Sequence, residues 1–244
     1  MDTDEIYMKR CLELAALGLG KTYPNPMVGA VLVYKNKIIG EGWHQKAGEA
    51  HAEVHAIASV KDTALIAKAT LYVNLEPCAH LGKTPPCASL IVKHKIPKVV
   101  VGCIDHFSKV SGKGIEMMRK AGISVTLGVL EKECKESHKR FFTFHNKKRP
   151  YIILKWAETT DGFTAPLDQE KGKPFWITSP ESKKRVHKWR TEEAAILVGT
   201  KTVELDNPSL TARLWKGEQP LRVVIDKSIK LCNEFNRDYY VWER

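Results

Sequence analysis

Apolar residues recur at helical spacing over residues 5–19, at Ile6, Met8, Leu12, Leu14, Ala15 and Leu19, and Gly20 suits the end of the helix they predict. The period then changes. After a Pro-rich loop that includes Pro24-Asn25-Pro26, two β-rich runs at 28–34 and 37–42 flank Lys35-Asn36 and predict a hairpin. Further on, the pattern predicts a helix over 51–60, a strand over 70–75, and a helix opened by Pro85-Pro86 that runs to about residue 93. A strand over 98–102, a helix over 114–121, a strand over 123–127 and a charged amphipathic helix over 131–144 follow. A hairpin followed by alternating helices and strands predicts a three-layer α/β sandwich.

The pattern breaks at Asn146-Lys147-Lys148-Arg149-Pro150, which is polar, basic and ends in proline. Two domains are therefore expected, over 1–146 and 151–244, joined by a linker at 147–150. In the second, strands are predicted at 151–157, 194–199 and 221–225, with a helix over 179–190. About ninety-five residues is near the lower end of normal domain size.

Composition narrows the setting. With 43% hydrophobic residues, a packed core can form. The N-terminus MDTDEIYMKR carries no apolar leader, and no apolar run is long enough to cross a membrane, so a cytoplasmic protein is expected. The formal charge of +11 favours anionic partners, either nucleic acid or a small phosphorylated substrate. A generally basic surface explains it equally well. Six cysteines are dispersed through a chain of intracellular character, which favours a metal or catalytic role over a disulfide framework.

The sharpest chemistry is His51-Ala52-Glu53 followed by Pro77-Cys78 and, eight residues later, Cys87. One imidazole and two thiolates can hold Zn2+ and leave a fourth position for water. His51, Cys78 and Cys87 are the candidate metal ligands. Glu53, two positions beyond His51, is the candidate proton carrier: it takes a proton from water and delivers it to a ring nitrogen and to the departing amine. Zinc deaminases carry His-x-Glu with a later Pro-Cys-x-x-Cys, and the wider cysteine spacing here departs from that signature. Two other readings stay open: a deaminase acting on nucleic-acid bases, and a structural zinc module that binds RNA.

Three segments carry a resemblance: Pro24-Asn25-Pro26-Met27-Val28-Gly29, His51-Ala52-Glu53-Val54, and Glu76 through Cys87 with Gly82-Lys83-Thr84-Pro85-Pro86 between the cysteines. They resemble the bifunctional riboflavin-biosynthesis deaminase/reductase family. The resemblance implies a cytidine-deaminase-like sandwich followed by the first part of a dihydrofolate-reductase-like α/β domain. It implies hydrolytic deamination of 2,5-diamino-6-(5-phosphoribosylamino)pyrimidin-4-one, then NADPH-dependent reduction of the ribosyl group to ribityl. The long loop between the cysteines disfavours a nucleic-acid target, and a homo-oligomer is compatible with the family. By position, Asn25, His44, Lys83 and Asp105 become substrate contacts, with Lys83 suited to the phosphate and His80 a further candidate. The family's Asp-Pro-Asn-Pro is replaced by Asp105-His106-Phe107-Ser108, which alters the expected sugar contacts.

The same resemblance covers the second domain through Lys155-Trp156-Ala157-Glu158, Trp176-Ile177-Thr178-Ser179 and the stretch from Val198 to Arg213. It implies NADPH contacts at Ala157, Trp176, Thr202 and Asp206, and substrate contacts at Arg190, Leu210 and Arg213. The family's reductase continues past residue 244 with a late Gly-Gly segment and an acidic residue. A truncated reductase half with absent or weak NADPH turnover is therefore expected.

Overall fold

A computed structural model describes residues 2–79, 85–105, 112–231 and 239–242. The chain divides into two compact units between Ile152 and Ile153. Among the described residues, no helix is long and apolar enough to cross a membrane.

The first unit opens with α1 (Thr3–Ala16), then the hairpin β1 (Gly29–Tyr34) and β2 (Lys37–Trp43). Lys35 and Asn36 both take positive φ, 48° and 59°, the geometry a two-residue hairpin turn requires. Next come α2 (Ala52–Ala58), a short 3-10 helix (Thr63–Lys68), β3 (Thr70–Leu75), α3 (Cys87–Lys93) and β4 (Lys98–Cys103). The unit closes with α4 (Lys113–Lys120), β5 (Ser124–Leu127), α5 (Glu131–Ser137) and α6 (Lys139–Lys147). The sheet order is β2-β1-β3-β4-β5, antiparallel on either side of β1 and parallel from β3 to β5.

The central strands are apolar on both faces, and successive side chains serve opposite layers. Ala30, Leu32, Leu71, Val73, Val99 and Val101 pack with Ala52, Ala56, Ala88, Ile91, Ile115 and Met118, under α2, α3 and α4. Val31, Val33, Tyr72 and Val100 pack with Met8, Cys11, Leu14, Cys134 and Phe142, under α1, α5 and α6. Each fully buried Leu, Met or Ile contributes about 1.5–3 kcal/mol. This is the expected three-layer sandwich.

Two expectations are corrected. The single helix over 131–144 is two helices that meet at His138, whose φ is −95° and ψ 9°. Cys134, His138 and Phe142 are all buried. These three recur every four residues, so the inward face runs on through the break. The strand at 151–157 does not form: these residues have no regular structure, and Ile152, Ile153, Leu154 and Trp156 are exposed. A strand needs a hydrogen-bonding neighbour, and no described residue pairs with this segment.

The second unit contains α7 (Pro180–Glu192), β6 (Ala195–Gly199), α8 (Thr200–Asp206) and β7 (Leu221–Ile225). β6 and β7 form a two-stranded parallel sheet. Val203, Leu210, Leu231 and Val241 make a small core.

Candidate active site

Two helix starts and one strand end converge on a single point. His51 is the residue that precedes α2, in extended conformation at φ −77° and ψ 166°. Its Nδ1 lies 3.2 Å from Cys87 Sγ and 3.6 Å from Cys78 Sγ. Cys87 is the first residue of α3, after Pro86. Cys78 lies just past the end of β3 and is tied to α3 twice. The Ala88 amide donates to its carbonyl at 3.1 Å, and the Cys87 amide donates to its Sγ at 3.4 Å. The imidazole nitrogen and both sulfurs all lie within 4.8 Å of one another, and among the described residues no other such group forms. Bond lengths of about 2.0–2.3 Å to a tetrahedral zinc ion put ligand atoms about 3.5–3.8 Å apart. The donor set and its spacing therefore fit zinc with three protein ligands.

Electrostatics point the same way. The Cys78 thiol is pulled down to about 4, first by the donating Cys87 thiol and then by His51. Cys87 is pushed up by the neighbouring Cys78 sulfur, by burial and by Glu53. Both sulfurs can ionise together only beside a cation. Hydrogen bonding to Cys78 raises His51. Glu53, in the first turn of α2, is buried, and burial raises its carboxyl above the usual range while His51 opposes the shift. A carboxyl shifted in this direction holds a proton more readily than a solvent-exposed one.

Around this centre, Asn25 Nδ2 is 3.1 Å from His44 Nε2, and His44 Nδ1 is 3.0 Å from the Ala50 carbonyl. Both ring nitrogens of His44 are thus engaged within the protein, and burial lowers its pKa. Asp105 is buried just past β4, and its amide donates to Glu76 Oε2 at 3.3 Å. Lys83, with His80, His106 and Phe107, lies outside the described residues.

Two supporting groups escaped the sequence reading. The buried Glu76 carboxylate accepts from Gly112 at 2.9 Å and from Gly114 at 3.0 Å as well as from Asp105. It binds the start of α4 to the segment bearing Cys78. Gly114 is required there, since a Cβ at that position would sit 2.0 Å from the Pro77 carbonyl oxygen. Asn74, fully buried in β3, accepts from the Gly29 amide at 2.9 Å and donates to the Met27 carbonyl at 3.1 Å. It fixes the backbone just after Asn25. A polar residue inside the apolar run 71–75 was the signal available.

Comparison with known proteins bears on both units. The family model for the cytidine and deoxycytidylate deaminase zinc-binding region matches residues 1–103, and the RibD C-terminal domain matches 150–243. The riboflavin biosynthesis protein RibD of Aquifex aeolicus is 48% identical over 94% of this chain and 64% of its own length. That of Bacillus amyloliquefaciens is 47% identical over 96% of this chain and 62% of its own length. A crystal structure from Thermotoga maritima superposes with a TM-score of 0.91 at 44% identity, covering 99% of this chain and 67% of that one. That protein is described as a diaminohydroxyphosphoribosylaminopyrimidine deaminase/5-amino-6-(5-phosphoribosylamino)uracil reductase. The chain belongs to the RibD family. It spans less than two thirds of the length of the two curated RibD relatives.

The RibD C-terminal match covers the remaining candidates. Arg190 on α7 donates from Nη1 to the Thr211 carbonyl at 2.8 Å, and its Nε is buried with no hydrogen-bond partner among the described residues. Arg213 is exposed and reaches Thr211 Oγ1 at 3.4 Å. Burial, helped by Arg213, lowers the Arg190 pKa. Both cations donate to Thr211. Leu210 is buried in the small core. Trp176 is exposed beneath the Lys183 ammonium, 3.7 Å from its ring centroid. Asp206 accepts from Gln169 at 2.8 Å, Thr202 is exposed and Ala157 is half-buried. No hydrogen bond or ring contact joins Ala157, Trp176, Thr202 and Asp206 among the described residues.

Proposed function

We propose that the first unit is a zinc-dependent aminohydrolase of riboflavin biosynthesis. It converts 2,5-diamino-6-(5-phosphoribosylamino)pyrimidin-4-one to 5-amino-6-(5-phosphoribosylamino)uracil with release of ammonia. The observation that carries this reading is the set of His51 Nδ1, Cys78 Sγ and Cys87 Sγ within 4.8 Å, close to a buried Glu53. Zinc held by these three residues would supply the Lewis acidity that makes a water acidic near neutral pH. Glu53 takes the proton as water adds to the ring carbon. It delivers that proton to the ring nitrogen and then assists departure of the amine, so the C–NH2 bond is exchanged for C=O. Asn25 and Asp105 face the substrate, and Lys83 meets its phosphate.

In the same reading the second unit is the NADPH-dependent reductase half, with Arg190 and Arg213 on the substrate phosphate and Ala157, Trp176, Thr202 and Asp206 on the cofactor. Leu197, Leu221 and Ile225 of its two-stranded sheet are open to solvent. We take the domain limits as 1–146 and 151–244, a small-molecule substrate rather than nucleic acid, and a cytoplasmic setting.

Glu53→Ala tests the deaminase. Zinc content stays at one ion per chain and ammonia release falls by at least about a hundredfold. Loss of zinc together with activity assigns Glu53 a structural role instead. Salt-dependent binding of single-stranded nucleic acid with base deamination supports the competing reading.

A further inference from the structure

The His44 ring is buried and stands edge-on to His51, with centroids 5.5 Å apart at 84°. Its backbone amide donates to the Val28 carbonyl at 2.9 Å, which fixes its place beside the loop that carries Asn25. The Ala50 carbonyl 3.0 Å from Nδ1 can only accept a hydrogen bond, so Nδ1 carries a proton. On the other side Nε2 lies 3.1 Å from Nδ2 of Asn25, and an NH2 group can only donate, so Nε2 is the acceptor for that amide. Its carbonyl oxygen Oδ1 consequently faces the other way, and no hydrogen bond engages it among the described residues.

We propose that His44 is a positioning residue, not a substrate contact. It locks the Asn25 amide so that Oδ1 is offered to the ligand, and the site selects a substrate group that donates a hydrogen bond there, an N–H or a hydroxyl. The identity of the ligand rests on the deaminase reading above, but the orientation of the amide does not.

The test uses the zinc-loaded full chain. With 15N-labelled histidine, the His44 ring reports as neutral with the proton on Nδ1. An Nε2–H or charged ring overturns the proposal. Asn and Gln imitate the two ring nitrogens separately. His44→Asn keeps the bond to Ala50 and releases Asn25, raising KM about tenfold, the worth of one hydrogen bond, with kcat within about twofold. His44→Gln places an acceptor near Nε2 and restores KM to within about threefold. Equal damage by both substitutions, or a loss confined to kcat, refutes the positioning role. Absence of ammonia release in the parent chain overturns the deaminase reading, and the ring spectrum still decides the amide orientation.

Discussion

Glu76→Gln removes charge and one acceptor from a carboxylate that takes backbone amides on both of its oxygens. Oε2 accepts from Asp105 and Gly112, and Oε1 from Gly114. Glutamine has one oxygen. If it serves Asp105 and Gly112, an NH2 group faces the buried Gly114 amide, donor against donor. A buried donor left unpaired costs about 1–3 kcal/mol, and the surviving bonds lose charge assistance. Relief from burying a charge offsets part of this, since burial raises the Glu76 pKa in the folded chain. A net loss of about 2 kcal/mol is expected, which speeds exchange of the Gly114 amide about thirtyfold. The melting temperature falls roughly 4–8 °C, at about 2–4 °C per kcal/mol for a chain of this size. Amide exchange followed by NMR, with calorimetry on the zinc-loaded chain, measures both. Gly114 protection unchanged within about threefold would show that the carboxylate does not hold α4.

Other perturbations have defined outcomes. Burial holds His138 down to about 4, so the unfolded chain binds a proton that the folded chain refuses. Stability accordingly falls as pH drops from about 6.5 to about 4, by up to about 3 kcal/mol, and His138→Leu flattens that part of the urea-unfolding profile. An unaltered slope would remove His138 as its source. Gly114→Ala drives a methyl into the Pro77 carbonyl and should cost more than about 2 kcal/mol, together with weakened zinc retention in a competition assay with a chelator. Stripping zinc lowers the melting temperature, and re-addition at about a hundredfold over Kd restores about 2.7 kcal/mol. A melting curve indifferent to zinc would contradict ligation by His51, Cys78 and Cys87.

The sandwich was legible in the sequence because its signals are local. The hairpin needs only Lys35-Asn36 between two β-rich runs, and the inner strands are short apolar runs. What failed depends on distant partners or on weak patterns. Residues 151–157 have the composition of a strand but no described neighbour to pair with. α8 buries only Val203 and the 3-10 helix only Ile66, so neither leaves a periodic trace. The same divide runs through the site. His51, Glu53, Cys78 and Cys87 could be read because residue type and spacing carry the chemistry. Glu76 and Asn74 could not, because what matters is which backbone groups they hold, 29 to 47 residues away in sequence. His138 met the same obstacle: its turn is set by the layer beneath it, not by its neighbours in the chain.

The two amides that the start of α3 extends to Cys78 separate metal geometry from chain length. Because the helix itself docks Cys78, the interval between the two sulfurs can lengthen or shorten without displacing either one. Evolution is thereby free to graft new recognition segments into that interval, altering which ring is admitted while the hydrolytic machinery keeps its shape.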